Sequence, residues 1–280
     1  MKDVLNPITI DLADYERAGE GANGTSYNHR TDPTLMLKLY NAGKIQQPLD
    51  EMLVARKVFA AGIPTPEPGD YVTDGERFGI RFRRIPDKVS YARATGDHPE
   101  RVAQYAAEFA GMCRDLHATH LDTDVFENVK DRYLRLLEQN PFFTTAEKDR
   151  LGRFITDAPD TDTAIHGDLS FGNAIFSGQD RYFIDLGDFC YGYPLFDLGM
   201  VYLTCLLNDE SFTREAFHMD SPTAVRFWEA FAPAYFGPDV PLTEIDEMVR
   251  PYAGLKTLIV ERDTKRPMPG FRAALRSVLD

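Results

Sequence analysis

The segment His166-Gly167-Asp168-Leu169-Ser170-Phe171-Gly172-Asn173 carries a carboxylate and an amide, and a second carboxylate, Asp185, follows in FIDLGDF. Phosphoryl transfer needs a carboxylate to orient the acceptor's proton and hard oxygen donors for the metal that bridges the phosphates. Asp168 suits the first task, and Asn173 with Asp185 suits the second. Gly167 and Gly172 are expected to turn the loop back so that these side chains converge. Taken singly, each residue is also explained as a turn, a helix cap or a strand end. Their spacing, after a glycine loop and a strand lysine in that order, points to chemistry.

That preceding loop is Gly19-Glu20-Gly21-Ala22-Asn23-Gly24, which fits GxGxxG. A dinucleotide fingerprint of this form must run into a helix. Here TSYNHR follows, a strand pattern, and a glycine loop between antiparallel strands is the geometry that covers nucleotide phosphates. Glycine clusters also make plain hairpin turns, so the loop alone decides nothing. In TLMLKLY, Lys38 sits between apolar neighbours. An unpaired ammonium is costly to bury, so a phosphate or a carboxylate should meet it, and Glu51 in the next helical run is the candidate.

The elements that must position these groups can be read from periodicity. ITIDLADYERA reads as one strand, TSYNHR and TLMLKLY as two more around Asp32-Pro33, and GDYVT and RFGIRFRRI as a pair around Asp74-Gly75. Between them, apolar residues from Gln47 to Ala61 recur at helical spacing and Gly62 stops the run. Further on, Val102, Tyr105, Phe109, Met112 and Leu116 form one helical stripe, and residues 127–139 and 145–156 predict two more helices. Short strands and loops surround His166 to Pro194, and the remainder is mainly helical. Strands first and helices afterwards is an α+β order, with a hinge expected near residues 84–90.

Composition narrows the field. The 280 residues are 43% hydrophobic, with a net charge of −13 that disfavours nucleic acid as a partner. The charge divides as −1 over residues 1–88 and −12 over residues 89–280; the acidic part favours cationic substrates or simply solubility. No apolar run approaches a membrane span, and the acidic, broken start does not read as a signal peptide, so a soluble cytoplasmic protein is expected. Cys113, Cys190 and Cys205 have neither disulfide-framework nor zinc spacing. His117 and His120 are read as one helix's packing or C-terminal residues rather than metal ligands. ERDTKRP reads as a solvated charge run, and the aromatics of SFTREAFHMDSPTAVRFWEAF as core that could also line an acceptor pocket.

Together with Gly62-Ile63-Pro64, Leu116-His117 and IDLGD followed by YGYPLFDLG, these motifs resemble the aminoglycoside phosphotransferase and choline kinase family, protein-kinase-like enzymes that phosphorylate small-molecule hydroxyls. Within it, the DLGD run resembles a subgroup of phosphotransferases without an assigned substrate. The resemblance implies a bilobal kinase-like fold: a small antiparallel sheet with one helix over residues 1–85 and a larger helical lobe over 86–280, with Mg-ATP between them. It implies ATP and Mg2+ as cofactors, Asp168 as the catalytic base, and Asn173 and Asp185 as magnesium ligands. Lys38, held by Glu51, would contact the phosphates beneath Gly19, Gly21, Asn23 and Gly24, and backbone near Arg84 and Ile85 would meet adenine. His166 would organise the loop, His117 would brace or pack, and Asp197 would brace the loop by hydrogen bonds.

Some positions depart from that pattern. Ser170 and Phe171 stand where relatives often have His and Pro, and Ser170 cannot give the γ-phosphate the positive charge of the protein-kinase catalytic-loop lysine. Leu186-Gly187 replace a common Trp-Glu, leaving Asp188 as a metal-side carboxylate or a solvated turn acid. HGD in place of HRD, with no APE-type segment, argues against a protein kinase. The expected activity is ATP-dependent transfer to the hydroxyl of a small molecule, amine-bearing or sugar-like. The alternative is a catalytically idle nucleotide-binding scaffold, which would not require Lys38, Asp168, Asn173 and Asp185 together.

Overall fold

Strand alternation decides which way Lys38 points. In β4 (Leu35–Tyr40), Leu37 and Leu39 enter one apolar cluster with Ile10, Tyr15 and Val72, while Tyr40 enters another with Leu49, Met52, Tyr71 and Ile80. Side chains two apart share a face, so Lys38 and Tyr40 both face the helix α1 (Gln46–Ala60), which buries Glu51 beside Met52. Past the helix, Gly62 takes φ +79, the left-handed geometry that ends it at little steric cost.

The computed structural model describes residues 6–21 and 23–280; Ala22 of the glycine loop, and residues 1–5, lie outside the described residues. One compact unit comprises Met1–Lys88, where described, with Ile175–Asp188; the other comprises Val89–Ala174 and Phe189–Asp280. The sequence division at residues 85 and 86 put Asp185 in the second lobe, whereas its contacts place it in the first unit.

The first unit is built on a six-stranded sheet ordered β1 (Ile8–Thr9), β5 (Pro68–Thr73), β6 (Phe78–Arg83), β4, β3 (Gly24–His29) and β2 (Tyr15–Gly21). It is mixed rather than antiparallel, because β1 runs parallel to β5 with Ile8 opposite Val72. The run expected to be one strand is two: Asp11 accepts a hydrogen bond from the Ala13 N–H (2.9 Å) and opens a tight turn at Leu12–Asp14. The chain thereby leaves one sheet edge and rejoins at the other. The glycine loop joins β2 to β3 as antiparallel neighbours, with Gly21 opposite Gly24.

The second unit is helical. Its longer helices are α2 (Tyr91–Asp97), α3 (Val102–His117), α4 (Val129–Gln139), α5 (Thr145–Asp157), α6 (Leu195–Leu206), α7 (Glu210–Phe217), α8 (Ser221–Phe236), α9 (Leu242–Leu255) and α10 (Thr257–Thr264). The stripe read in α3 is buried throughout, and the Thr144–Glu147 capping box opens α5. Helix α2 was not anticipated; it is short, and Ser90 caps it by accepting from the Arg93 N–H (3.1 Å). Phe109, Phe227, Trp228 and Phe231 form an aromatic core, each ring worth roughly 1.5–3 kcal/mol on burial. Cys113, Cys190 and Cys205 are buried thiols.

Two expectations are corrected here. Glu261, in the run read as solvated, is buried: it accepts from Arg272 Nε (2.7 Å), Asn140 Nδ2 (2.9 Å) and the Met268 N–H (2.8 Å). His120 lies beyond the end of α3, exposed, with Nδ1 2.6 Å from Asp162. No helix among the described residues is long and apolar enough to cross a membrane.

Candidate active site

In the first unit, strand and helix bring Lys38 and Glu51 together. Lys38 Nζ donates to Glu51 Oε1 (2.9 Å) and Oε2 (3.2 Å) and also pairs with Asp185, 147 residues away in sequence. Asp185 is delivered by the hairpin of Ala174–Ser177 and Asp180–Phe183, whose Phe183 N–H donates to the Pro64 carbonyl (2.9 Å). Its backbone takes φ +60, a left-handed conformation that Asp tolerates better than most residues. Burial works against the charge on Lys38, but Asp185 and Glu51 outweigh it and hold the ammonium above the usual lysine range. The ion is therefore firmly protonated, although one of its carboxylates, Asp185, is 44% exposed.

Sequence reasoning missed a third group here. The Tyr40 hydroxyl donates to Glu51 Oε2, and Lys38 Nζ lies 4.9 Å from the centre of the Tyr40 ring. Burial raises the Tyr40 phenol, keeping it a donor. The only signal was its place two residues after Lys38, on the same strand face.

In the glycine loop, the Asn23 carbonyl accepts from the Asn41 N–H (3.0 Å) and its side-chain oxygen from Lys44 Nζ (2.8 Å). Gly19 packs under Ser26, whose hydroxyl donates to the Gly19 carbonyl (3.4 Å). At the chain's exit from the sheet, the Arg84 N–H is committed to the Thr34 carbonyl (2.7 Å), so that donor is not available to a bound base. Asp188 lies exposed in the tight turn Leu186–Asp188.

The second unit holds the loop from His166 to Asn173. Gly167 takes φ +85, where a side chain would be strained, and this reverses the chain just before Asp168. Gly172 does not share that geometry; the Phe217 ring would lie 3.4 Å from a Cβ there. Asn173 Nδ2 donates to the Asp168 carbonyl (2.9 Å) and to its carboxylate (3.1 Å), so the two side chains meet as expected. The departure at Phe171 has a packing reason: its ring sits 4.8 Å from both Phe217 and Phe227 and anchors the loop in the aromatic core.

Beneath the loop, Asp197 at the start of α6 is fully buried. Its carboxylate accepts from the His166 N–H (2.7 Å) and the Gly167 N–H (2.8 Å), and His117 Nε2 lies 3.2 Å away. His117 is held in turn by the Tyr235 hydroxyl at 2.8 Å from Nδ1. Burial alone would raise the Asp197 carboxyl, but His117, with His166 and Lys256, outweighs it and holds it below the usual carboxylate range. His166 is fully buried, and its Nδ1 accepts from the Asp168 N–H (3.4 Å).

Sequence reasoning also missed Lys256, whose Nζ donates to the Gly167 carbonyl (2.9 Å). The signal was present in principle, since GLKTLI sets a lysine in an apolar helical run. With its Nδ2 turned to Asp168, Asn173 in the second unit keeps an amide oxygen of the kind a divalent cation takes, and Asp185 in the first unit offers an accessible carboxylate. Among the described residues, no group of three or more His, Cys, Asp or Glu side chains forms a metal cluster.

The sequence model of the phosphotransferase enzyme family (APH) matches residues 14–233. A choline/ethanolamine kinase family protein from Mesorhizobium loti is 18% identical, with a TM-score of 0.52 over 95% of this chain and 85% of that one. A thermostable mutant of an aminoglycoside phosphotransferase, in ternary complex with ADP and hygromycin B, is 14% identical with a TM-score of 0.62, covering 95% and 93%. An amicoumacin kinase in complex with AMP-PNP and Ca2+ is 15% identical with a TM-score of 0.56, covering 99% and 90%. At these identities the likeness establishes the kinase-like fold. No curated protein matches the chain.

Proposed function

We propose that this chain, which belongs to the phosphotransferase enzyme family, moves the γ-phosphate of Mg-ATP to a hydroxyl of a small molecule. The observation that carries the reading is the Lys38 ammonium held between Glu51 and Asp185. A half-buried cation paired with an accessible carboxylate can exchange that partner for phosphate oxygens, with Glu51 keeping its orientation. The nucleotide complexes among the structural neighbours support this use of the fold.

In this reading, Gly19, Gly21, Asn23 and Gly24 cover the phosphates, and the Arg84 carbonyl with Ile85 meets the base. Asn173 and Asp185 hold Mg2+, which when bound supplies positive charge to the phosphate oxygens. Asp168 receives the proton of the acceptor hydroxyl as its oxygen attacks, and Lys38 stabilises the charge that develops on the phosphates. Asp197 and His166 hold the loop so that Asp168 need not reorganise. The acceptor is an aminoglycoside-like, choline-like or sugar-like alcohol; the −12 charge over residues 89–280 favours a cationic one through its field.

The test is ADP release from Mg-ATP across a panel of aminoglycosides, choline, ethanolamine and sugars, with Asp168→Ala alongside. An acceptor that stimulates the wild type and not the variant establishes the transfer and its substrate class. Nucleotide binding with no stimulation by any acceptor, and no difference between the two proteins, would return the chain to an idle nucleotide-binding module.

A further inference from the structure

Lys256 closes α9 and opens α10, and its side chain is buried, with the residue 3% exposed. None of the ion pairs among the described residues involves it. Its Nζ instead donates to the Gly167 carbonyl (2.9 Å) and lies 5.6 Å from the centre of the Tyr133 ring. An ammonium buried without a carboxylate in contact is an expensive way to fill space, and an apolar side chain of similar volume would pack there at lower cost.

The bonded carbonyl is what makes the arrangement informative. Gly167 has φ +85 and no side chain, so the peptide joining it to Asp168 has little steric hindrance to rotation. The two preceding N–H groups are fixed by Asp197, at 2.7 and 2.8 Å. On its N–H side the Gly167–Asp168 peptide makes a long contact to His166 Nδ1 (3.4 Å). Its carbonyl side is held by Lys256. Helix α9 is brought close enough to do this because α6 and α9 approach backbone to backbone: a Cβ on Gly199 would lie 2.5 Å from the Tyr252 carbonyl carbon.

We propose that Lys256 is a positioning residue for the catalytic loop, fixing the Gly167–Asp168 peptide and so the direction in which Asp168 presents its carboxylate. The assignment rests on Asp168 being the group that receives the acceptor's proton. Burial opposes the charge on Lys256, and Tyr133, Asp197 and Asp168 outweigh it, so the lysine stays a charged donor. Because its Nζ is bonded to the Gly167 carbonyl, Lys256 acts through the peptide.

The experiment compares full-length wild type with Lys256→Met, Lys256→Arg and Asp168→Asn. Three quantities are read: Mg-ATP affinity, acceptor-free ADP release from Mg-ATP, and amide hydrogen exchange of the 166–173 loop without nucleotide. Lys256→Met should keep Mg-ATP affinity within about two-fold while ADP release falls roughly 10²-fold, the scale of a displaced catalytic group. Its loop amides should exchange faster than those of wild type at an unchanged melting temperature. Lys256→Arg, which retains a charged donor, should recover part of both, and Lys256→Gln serves if the Met variant does not fold. Unchanged loop exchange in a folded variant overturns the proposal. So does a loss of turnover matched by an equal loss of nucleotide affinity or of folded protein, because that is a merely structural role. If wild type binds Mg-ATP and is no faster than Asp168→Asn, with the acceptor panel present as well as absent, the phosphotransferase reading fails, while the loop exchange still decides whether Lys256 holds the peptide.

Discussion

The first compact unit half-buries Lys38 and the second buries Lys256, and the two lysines are held in opposite ways. Lys38 has an 18% exposed side chain and two carboxylate partners, one of them, Asp185, open to solvent. Lys256 is 3% exposed and is bonded to a backbone carbonyl. A cation whose partner carboxylate is accessible can trade it for another anion at small cost, since the desolvation is already met by the inner partner, Glu51. A cation bonded to a main-chain oxygen and sealed from water has nothing to trade. The first arrangement suits a ligand that comes and goes, and the second suits a fixed part of the frame.

That contrast can be broken by substitution, beginning with the group the frame serves. Asp168→Asn should reduce acceptor-dependent turnover by about 10³-fold or more while Mg-ATP affinity stays within a few-fold, checked by ADP release and nucleotide titration. Lys38→Met should lower turnover by roughly 10²-fold and, unlike Lys256→Met, should also weaken Mg-ATP binding. Equal nucleotide affinity in the two lysine variants would erase the distinction drawn here.

Asp197→Asn tests the frame of the second unit directly. Removing this charge leaves two loop N–H groups and Lys256 poorly compensated, and a loss of about 3–5 kcal/mol is expected from breaking such a buried set. The melting temperature reads it. The pH dependence has a definite sign: because the folded carboxyl is held below its ordinary value, its stabilisation is fully present above about pH 4 and is lost as pH falls through the depressed pKa. Wild type should therefore lose melting temperature more steeply than Asp197→Asn as pH is lowered below about 4. Parallel curves would mean that Asp197 does not carry this stabilisation.

The smallest effect is expected at Tyr40. Tyr40→Phe removes the hydrogen bond to Glu51 but keeps the ring under Lys38, so the loss is about 1.5–3 kcal/mol at most. It should show as a several-fold rise in the KM for Mg-ATP with little change in kcat, measured by steady-state ADP release. A fall in kcat at constant KM would place Tyr40 in the chemistry instead of in the orientation of Glu51.

Much of this candidate site is legible in the sequence itself. The order of glycine loop, strand lysine, helix glutamate, HGDLSFGN and IDLGD is local in each piece, and the 2- and 3.6-residue periods placed the pieces on strands, helices and loops. Local rules were weakest where a single polar side chain decides geometry. Asp11 capped a turn inside an apparently continuous strand, and Ser90 capped a helix whose buried residues are Tyr91, Ala92, Ala94 and Thr95. Seven residues, two turns, are too few to show a stripe.

Residue identities and spacing by themselves determined the α+β order, the kinase-like resemblance and the presence of a carboxylate, an amide and a second carboxylate suited to phosphoryl transfer. Which side chains hold those groups was decided only in three dimensions. Lys256 is 89 residues from Gly167, Tyr235 is 118 from His117, and Asp185 is 147 from Lys38. A motif records neighbours along the chain, whereas a buried ion selects partners by distance and dielectric. In sequence, Glu261 looks like an ordinary surface charge, and it is the packing of helices around it that removes water and makes its partners obligatory.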